Sequence, residues 1–358
     1  GGYAVLSGTS MATPYIAGSH ALYMQAKKSK PHGDVIRKVL KNTATISSNF
    51  NSTTKASAAK QGAGLVNVLN AVTTTSSITP DHIDLLDSVH FQRTVKITLK
   101  NEGKHTETYT LSHIPADALN SYNTKNSFPL GVPIIEADYA TVKFSADKIK
   151  IRGGKSAKIT LKFTEPKKGK ASQFPLYSGF IVATPKSKGG VAVHVPYTGV
   201  KGDIRKVPIM DTDSGLPLLQ IIDKDDTFYE IPKDFIFDLK ANKTAILTRL
   251  GSHSPDATIR VYEKATNKFV GFVDSENNGA AFGALGRNRD YESDGSFSFN
   301  TYIWSGQVFT TEDKTKTPVQ LPGGTYVIEI ASQKKFTKGK YPADFEVFNL
   351  GAVTIASL

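Results

Sequence analysis

The sequence predicts a mixed chain, with a helical amino-terminal segment followed by two all-β sandwich domains. Three observations carry this. Residues 1–74 space their apolar side chains for helices. From about residue 81 the apolar period falls to two, with Gly or Pro between short runs. The 358 residues, 39% of them hydrophobic and 21% charged, suffice for two or three packed cores.

The first helix shows in Met11, Ala12, Tyr15, Ile16, Ala21, Leu22 and Tyr23, which recur at helical spacing over about Ser10–Met24. It is apolar around much of its circumference, the pattern of a helix buried on several sides. Pro14 and Gly18 interrupt it, at interior costs of about 3 and about 1 kcal/mol relative to Ala. The stretch "DVIRKVLKNTA" is a second helix, with Asp34 as cap and Val35, Ile36, Val39 and Leu40 on one face. A third runs from about Leu65 to Val72, entered through "QGAGLVN", where Gly62 and Gly64 mark a tight turn. Residues 47–60 read as a polar loop, and Thr73–Pro80 as a linker.

The strands follow. "TVKITLK" alternates Val95, Ile97 and Leu99 with Thr and Lys, so these three face a core. "ETYTLSHI", "ATVKFSA", "AKITLKF", "SGFIVAT" and "GVAVHVPY" complete a first sandwich over residues 75–203. Beyond it, "DFIFDLK", "TAILTRL", "TIRVYEKATNKFVGFV", "SFSFNTYIWSG" and "GTYVIEIAS" predict a second sandwich or jelly-roll relative over 204–358, with polar connections at 286–296 and 310–318.

Composition narrows the function. Cysteine is absent, which removes disulfides, thiol catalysis and the usual structural zinc. No apolar run approaches the roughly 18 residues of a membrane span, and no signal peptide opens the sequence. The net charge is +12; residues 1–74 hold eight Lys or Arg against the single acid Asp34. The basic runs at 26–30, 166–170 and 334–340 lack interleaved aromatics and any DNA-reading fingerprint, so they read as solvated loops and no nucleic-acid partner is expected. The acids of "DTDSG" (211–215) and "DKDDTFYE" (223–230) do not fit a calcium loop and read as surface turns. No cofactor is identified, and a structural calcium has no motif to support it. Asn51 and Asn242 are glycosylation acceptors in form, with Asn51 favoured because it lies in the polar loop.

The amino-terminal "GTSMATPYIAG" closely resembles the nucleophile motif of the subtilisin-like serine proteases, the subtilases. Gly8, Thr9, Ser10, Met11, Ala12, Pro14, Ala17 and Gly18 all match. "LKNTA" (40–44) and "QGAGLVNVLNAV" (61–72) resemble the segments that close that family's catalytic domain. The likeness implies that residues 1–74 are the carboxy-terminal part of an α/β subtilase catalytic domain. It also implies that Ser10 is the attacking group at the amino end of a buried helix, where free N–H groups favour an oxyanion. Peptide-bond hydrolysis through an acyl-enzyme follows, with a protein or peptide as substrate.

A hydroxyl needs a base and the base an orienting carboxylate, and in subtilisin both precede the serine. Nine residues precede Ser10, none of them Asp or His, and the family's oxyanion Asn also lies upstream. The opening "GGYAVLSGTS" reads as the middle of a domain, so the expected partner is a missing amino-terminal part of the catalytic domain. Alone, the chain is expected to be inactive. His20 lies too far along the helix to serve, and His32 sits in a Pro-Gly loop. His82, His90, His105, His113, His194 and His253 read as surface or half-buried strand residues.

"TVKITLKNEGKHTETYTLS" and "YSGFIVAT…VAVHVPYTG" resemble the fibronectin type III-like domains of large secreted subtilases, and "LPGGTYVIEIAS" more loosely resembles their terminal β domain. A secreted, extracellular multidomain protease is the implied setting. The alternative is a β-sandwich binding or adhesion protein that carries a non-catalytic protease remnant.

Overall fold

The computed structural model describes residues 5–122, 129–223, 225, 227–231, 236–238, 242–288 and 298–356. Two compact units divide the chain: Gly1–Ser121 with Val132–Asp203, and Tyr122–Gly131 with Ile204–Leu358.

The first unit opens with α1 (Thr9–Lys27), α2 (Gly33–Asn42), α3 (Ala58–Gln61) and α4 (Val68–Thr73). Tyr23, Ile36, Val39, Leu40 and Ala71 form one buried cluster. Val35 is exposed and lies outside it, because the buried stripe of α2 centres on Ile36, Val39 and Leu40. His32, not Asp34, caps α2, its Nδ1 accepting the Asp34 N–H at 3.3 Å. Asn67 Oδ1 accepts the Asn70 N–H at 3.0 Å, and this cap starts α4 later than the apolar pattern suggests. Gly64 has φ +121° and a Cβ there would lie 2.4 Å from the Thr45 carbonyl oxygen, so the tight turn requires glycine. The stretch 47–60 is more ordered than a loop: Ser57 caps α3, and Ala56, Ser57 and Ala58 are buried.

The same unit continues into a sandwich. Its strands are β1 (Ser76–Thr79), β2 (Ile83–Asp87), β3 (Thr94–Asn101), β4 (Glu107–Tyr122), β5 (Pro129–Glu136), β6 (Thr141–Phe144), β7 (Lys148–Ile151), β8 (Ser156–Thr164), β9 (Leu176–Pro185) and β10 (Val193–Val200). One sheet has the order β1-β3-β8-β6; the other runs β2-β10-β9-β4-β5, with β7 beside β4. Ile97 and Leu99 from the first sheet and Tyr109, Ile181 and Val195 from the second share one core, with Val95 half-buried against it.

Within the stretch Thr73–Pro80 predicted as a linker, Thr73 therefore ends α4 and Ser76–Thr79 form strand β1. Its small polar side chains find partners inside, Ser76 Oγ lying 2.8 Å from the Tyr109 hydroxyl, and Ile78 fills the core. Helices and sandwich meet through buried polar contacts. Asn42 accepts the Ile78 N–H at 2.9 Å and donates to the His194 carbonyl at 3.0 Å. The His194 ring Nε2–H donates to the Ala63 carbonyl at 2.8 Å, and Ser178 Oγ accepts the Ala58 N–H at 2.9 Å.

In the second unit, a four-stranded sheet pairs residues 228–230, 218–222, 243–248 and 300–304 in that order. A larger sheet has the long strands 254–263, 324–333 and 345–355 at its centre. Ile246 and Trp304 from one sheet pack with Ile259, Val261 and Ile328 from the other. Arg249 Nε donates to Asp211 Oδ2 at 2.6 Å, with both side chains almost fully buried. Asp211 thus turns the chain as predicted, accepting the Ser214 N–H, but lies inside rather than at the surface. The predicted connection at 286–296 lies largely outside the described residues. So do residues 234, 235, 239 and 240 of "DFIFDLK", residues 296 and 297 of "SFSFNTYIWSG", and residues 224 and 226 of "DKDDTFYE".

Candidate active site

Ser10 is the second residue of α1 and is exposed. Gly8 starts the helix at φ +149°, a conformation that favours glycine, and its carbonyl accepts the Met11 and Ala12 N–H groups at 3.1 and 3.2 Å. The Thr9 and Ser10 N–H groups precede the first intrahelical acceptor, so they have no carbonyl of their own helix to bond. Both groups and the positive end of the helix dipole thus lie in the first turn, which carries Ser10, and Ser10 Oγ makes no hydrogen bond among the described residues.

Pro14 is the sixth helical residue, one turn beyond the position where a missing N–H is free, so the Ser10 carbonyl loses its i+4 donor. Only Ser19 and Tyr23 of α1 are buried; Met11, Tyr15, Ile16 and Leu22 are exposed. A Cβ on Gly18 would meet nothing within 4 Å. The small residues Ala12, Ala17, Gly18 and Ala21 of this helix are all exposed, and the burial on several sides that the apolar pattern predicts is not found among the described residues.

The histidines have other partners. The His20 Nδ1–H donates to its own helix at the Ile16 carbonyl, 2.9 Å away. His82 lies beside Asp81 at 2.8 Å. His113 Nε2 is 2.8 Å from the Tyr197 hydroxyl, and burial lowers its pKa to about 4. His194 is buried rather than half-buried; burial lowers its pKa, against the opposing bond to Ala63. An Asp–His pair that the sequence reading passed over joins His90 Nδ1 to buried Asp87 Oδ1 at 2.7 Å. The same carboxylate accepts the His90 N–H, so the pair closes a turn after β2, and only the Asp-x-x-His spacing signals it. Among the described residues no three His, Asp or Glu side chains gather as a metal site. Asn51 is exposed and Asn242 is half-buried, its N–H donating to the Asp238 carbonyl.

The geometry at Ser10 can be set against known proteins. Residues 1–64 match the subtilase family. Residues 83–198 match an Fn3-like domain, which spans most of the first sandwich. The PII-type proteinase of Lacticaseibacillus paracasei is 31% identical over 240 residues, covering 60% of this chain and 12% of that protein. The PI-type proteinase of Lactococcus lactis subsp. cremoris has the same identity and coverage. The match thus spans 12% of the length of these curated relatives. A solved class 5 fimbriae chaperone, CfaA, covers 76% of this chain and 98% of its own, at 9% identity and a TM-score of 0.26, too low a likeness to bear on function. The subtilase-family match and the proteinase relatives support a function related to serine proteases. No helix among the described residues is long and apolar enough to cross a membrane.

Proposed function

We propose that the chain is part of a secreted serine endopeptidase in which Ser10 attacks the scissile carbonyl of a polypeptide and forms an acyl-enzyme. The observation that carries this reading is the exposed Ser10 hydroxyl at the amino end of α1, inside a stretch that matches the subtilase family. The Ser10 backbone N–H is placed to donate to the oxyanion, and the helix dipole favours the negative charge there. The base and its orienting carboxylate come from a part of the catalytic domain outside this sequence. That part also covers Met11, Tyr15, Ile16 and Leu22 on α1. In this reading residues 1–74 belong to the catalytic domain, and 75–203 and 204–358 are β-domains appended to it.

The test is labelling by a fluorophosphonate probe. A longer protein that adds the remainder of the catalytic domain is labelled at Ser10 and cleaves peptides; residues 1–358 alone are not labelled. Labelling of the chain alone, or activity that survives Ser10→Ala in the longer protein, overturns the assignment.

A further inference from the structure

The outer face of the sheet β1-β3-β8-β6 is a lysine surface. Strand alternation sends Ile97, Leu99, Ile159, Leu161 and Phe163 into the core and turns Lys96, Lys100, Lys158, Lys162 and Lys143 outward, all five exposed. The three strands β3, β6 and β8 contain no Asp or Glu. Lys143 stands directly opposite Lys162 across the β6–β8 pairing, and Lys162 opposite Thr94, Lys158 opposite Thr98 and Lys96 opposite Thr160 across β3–β8. Among the described residues only Lys100 has an acidic neighbour, Glu102 at 3.8 Å. Like charges directly opposite each other on a sheet are destabilising, so an unneutralised face of this kind gains when an anion covers it.

We infer that this face docks an acidic stretch of polypeptide, which holds the substrate of the proposed peptidase away from the scissile bond. The choice of a polypeptide rests on the peptidase reading; the rest follows from the face itself. Its cations are all lysine, point charges on flexible stems, with no arginine fork for bidentate phosphate recognition. No aromatic ring points outward from β3, β6 or β8 to stack a base, which argues against nucleic acid. Outward positions recur about every 7 Å along a strand, the repeat at which an extended chain displays alternate side chains, and the intervening threonines offer hydroxyls to the same carboxylates.

The experiment titrates the 358-residue chain into a fluorescently labelled Glu-Ser repeat peptide and follows anisotropy, with a Gln-Ser peptide and oligo-dT as comparisons. Binding to the acidic peptide is expected, falling as the screening length drops from about 10 Å in 0.1 M salt to about 3 Å in 1 M. Replacing Lys96, Lys143, Lys158 and Lys162 together with Gln is expected to weaken it about tenfold, whereas the same change at Lys30, Lys188, Lys264 and Lys338 leaves it within about twofold. Arg at the four face positions is expected to retain binding, and it keeps the test informative should the Gln variant fold poorly. Equal loss in both Gln variants, tighter binding to oligo-dT, or absence of salt-sensitive binding overturns the inference. The assay reads binding without hydrolysis, so its failure leaves the role of Ser10 standing, and a failure of probe labelling leaves the lysine face standing.

Discussion

Asn42, the last residue of α2, holds the main chain at His194 on β10 and at Ile78 on β1 through one fully buried amide. It sits in the "LKNTA" stretch that resembles the closing part of a subtilase domain, and it stitches two strands from opposite sheets of the Fn3-like sandwich. The helices after α1 and the sandwich therefore share their buried polar contacts. Exposed apolar side chains in this unit's helical part lie on α1, at Met11, Tyr15, Ile16 and Leu22, and outside it, at Phe50, Leu65 and Leu69.

Asn42→Ala leaves a buried N–H and a buried carbonyl without partners. A loss of about 3 kcal/mol is expected. Urea unfolding should show helical and strand signals of the first unit shifting together; a shift below about 0.5 kcal/mol would mean the amide is dispensable.

Ser10→Ala should behave in the opposite way. The hydroxyl is exposed and makes no hydrogen bond among the described residues, so stability should change by no more than about 0.5 kcal/mol. In a protein that includes the remaining catalytic domain, probe labelling and peptidase activity should vanish while the melting temperature stays. A large drop in melting temperature would point to a structural role for the serine.

Acidification should destabilise the first unit. Burial holds the folded His113 near pKa 4 against an ordinary value of 6.5. Above pH 6.5 both states are neutral and the contribution is complete. As the pH falls toward 4 the unfolded chain binds a proton that the folded site refuses, so stability declines, by about 2 kcal/mol for this half-buried ring. His194, lowered by burial too, acts in the same direction. Denaturant titrations at neutral pH and near pH 4 check this, and His113→Gln should flatten part of the slope; an unchanged slope removes His113 as its source.

In the second unit, Arg249→Met strands the buried Asp211 carboxylate. About 3–5 kcal/mol should be lost. Pairing it with Asp211→Asn should recover part of that loss, and a double variant no more stable than the single one would show that the turn, rather than the charge, was damaged.

The exposed apolar side chains Met11, Tyr15, Ile16 and Leu22 of α1 should contribute to hydrophobic-dye fluorescence of the chain. Tyr15→Ser with Ile16→Ser, both at exposed positions, should reduce it with little change in the unfolding midpoint. Undiminished fluorescence would place the dye elsewhere.

The sequence by itself determined six of the ten strands of the first sandwich, β3, β4, β6, β8, β9 and β10, and the nucleophile candidate. Alternation at Val95, Ile97 and Leu99 follows from the two-residue pleat, and the run around Ser10 is a contiguous motif that resembles the subtilase nucleophile segment, so both are local and legible. Tertiary structure decided what lies far apart in the chain. Ser76 and Ile78 look like linker residues until Tyr109 and Asn42 come to meet them, and Asp211 looks like a surface acid until Arg249 covers it. His194 reads as an ordinary strand residue, yet it is buried because Ala63 lies across it. A short polar side chain carries no sign of its partner, since a hydrogen bond depends on where two distant segments meet, and only the fold brings them together.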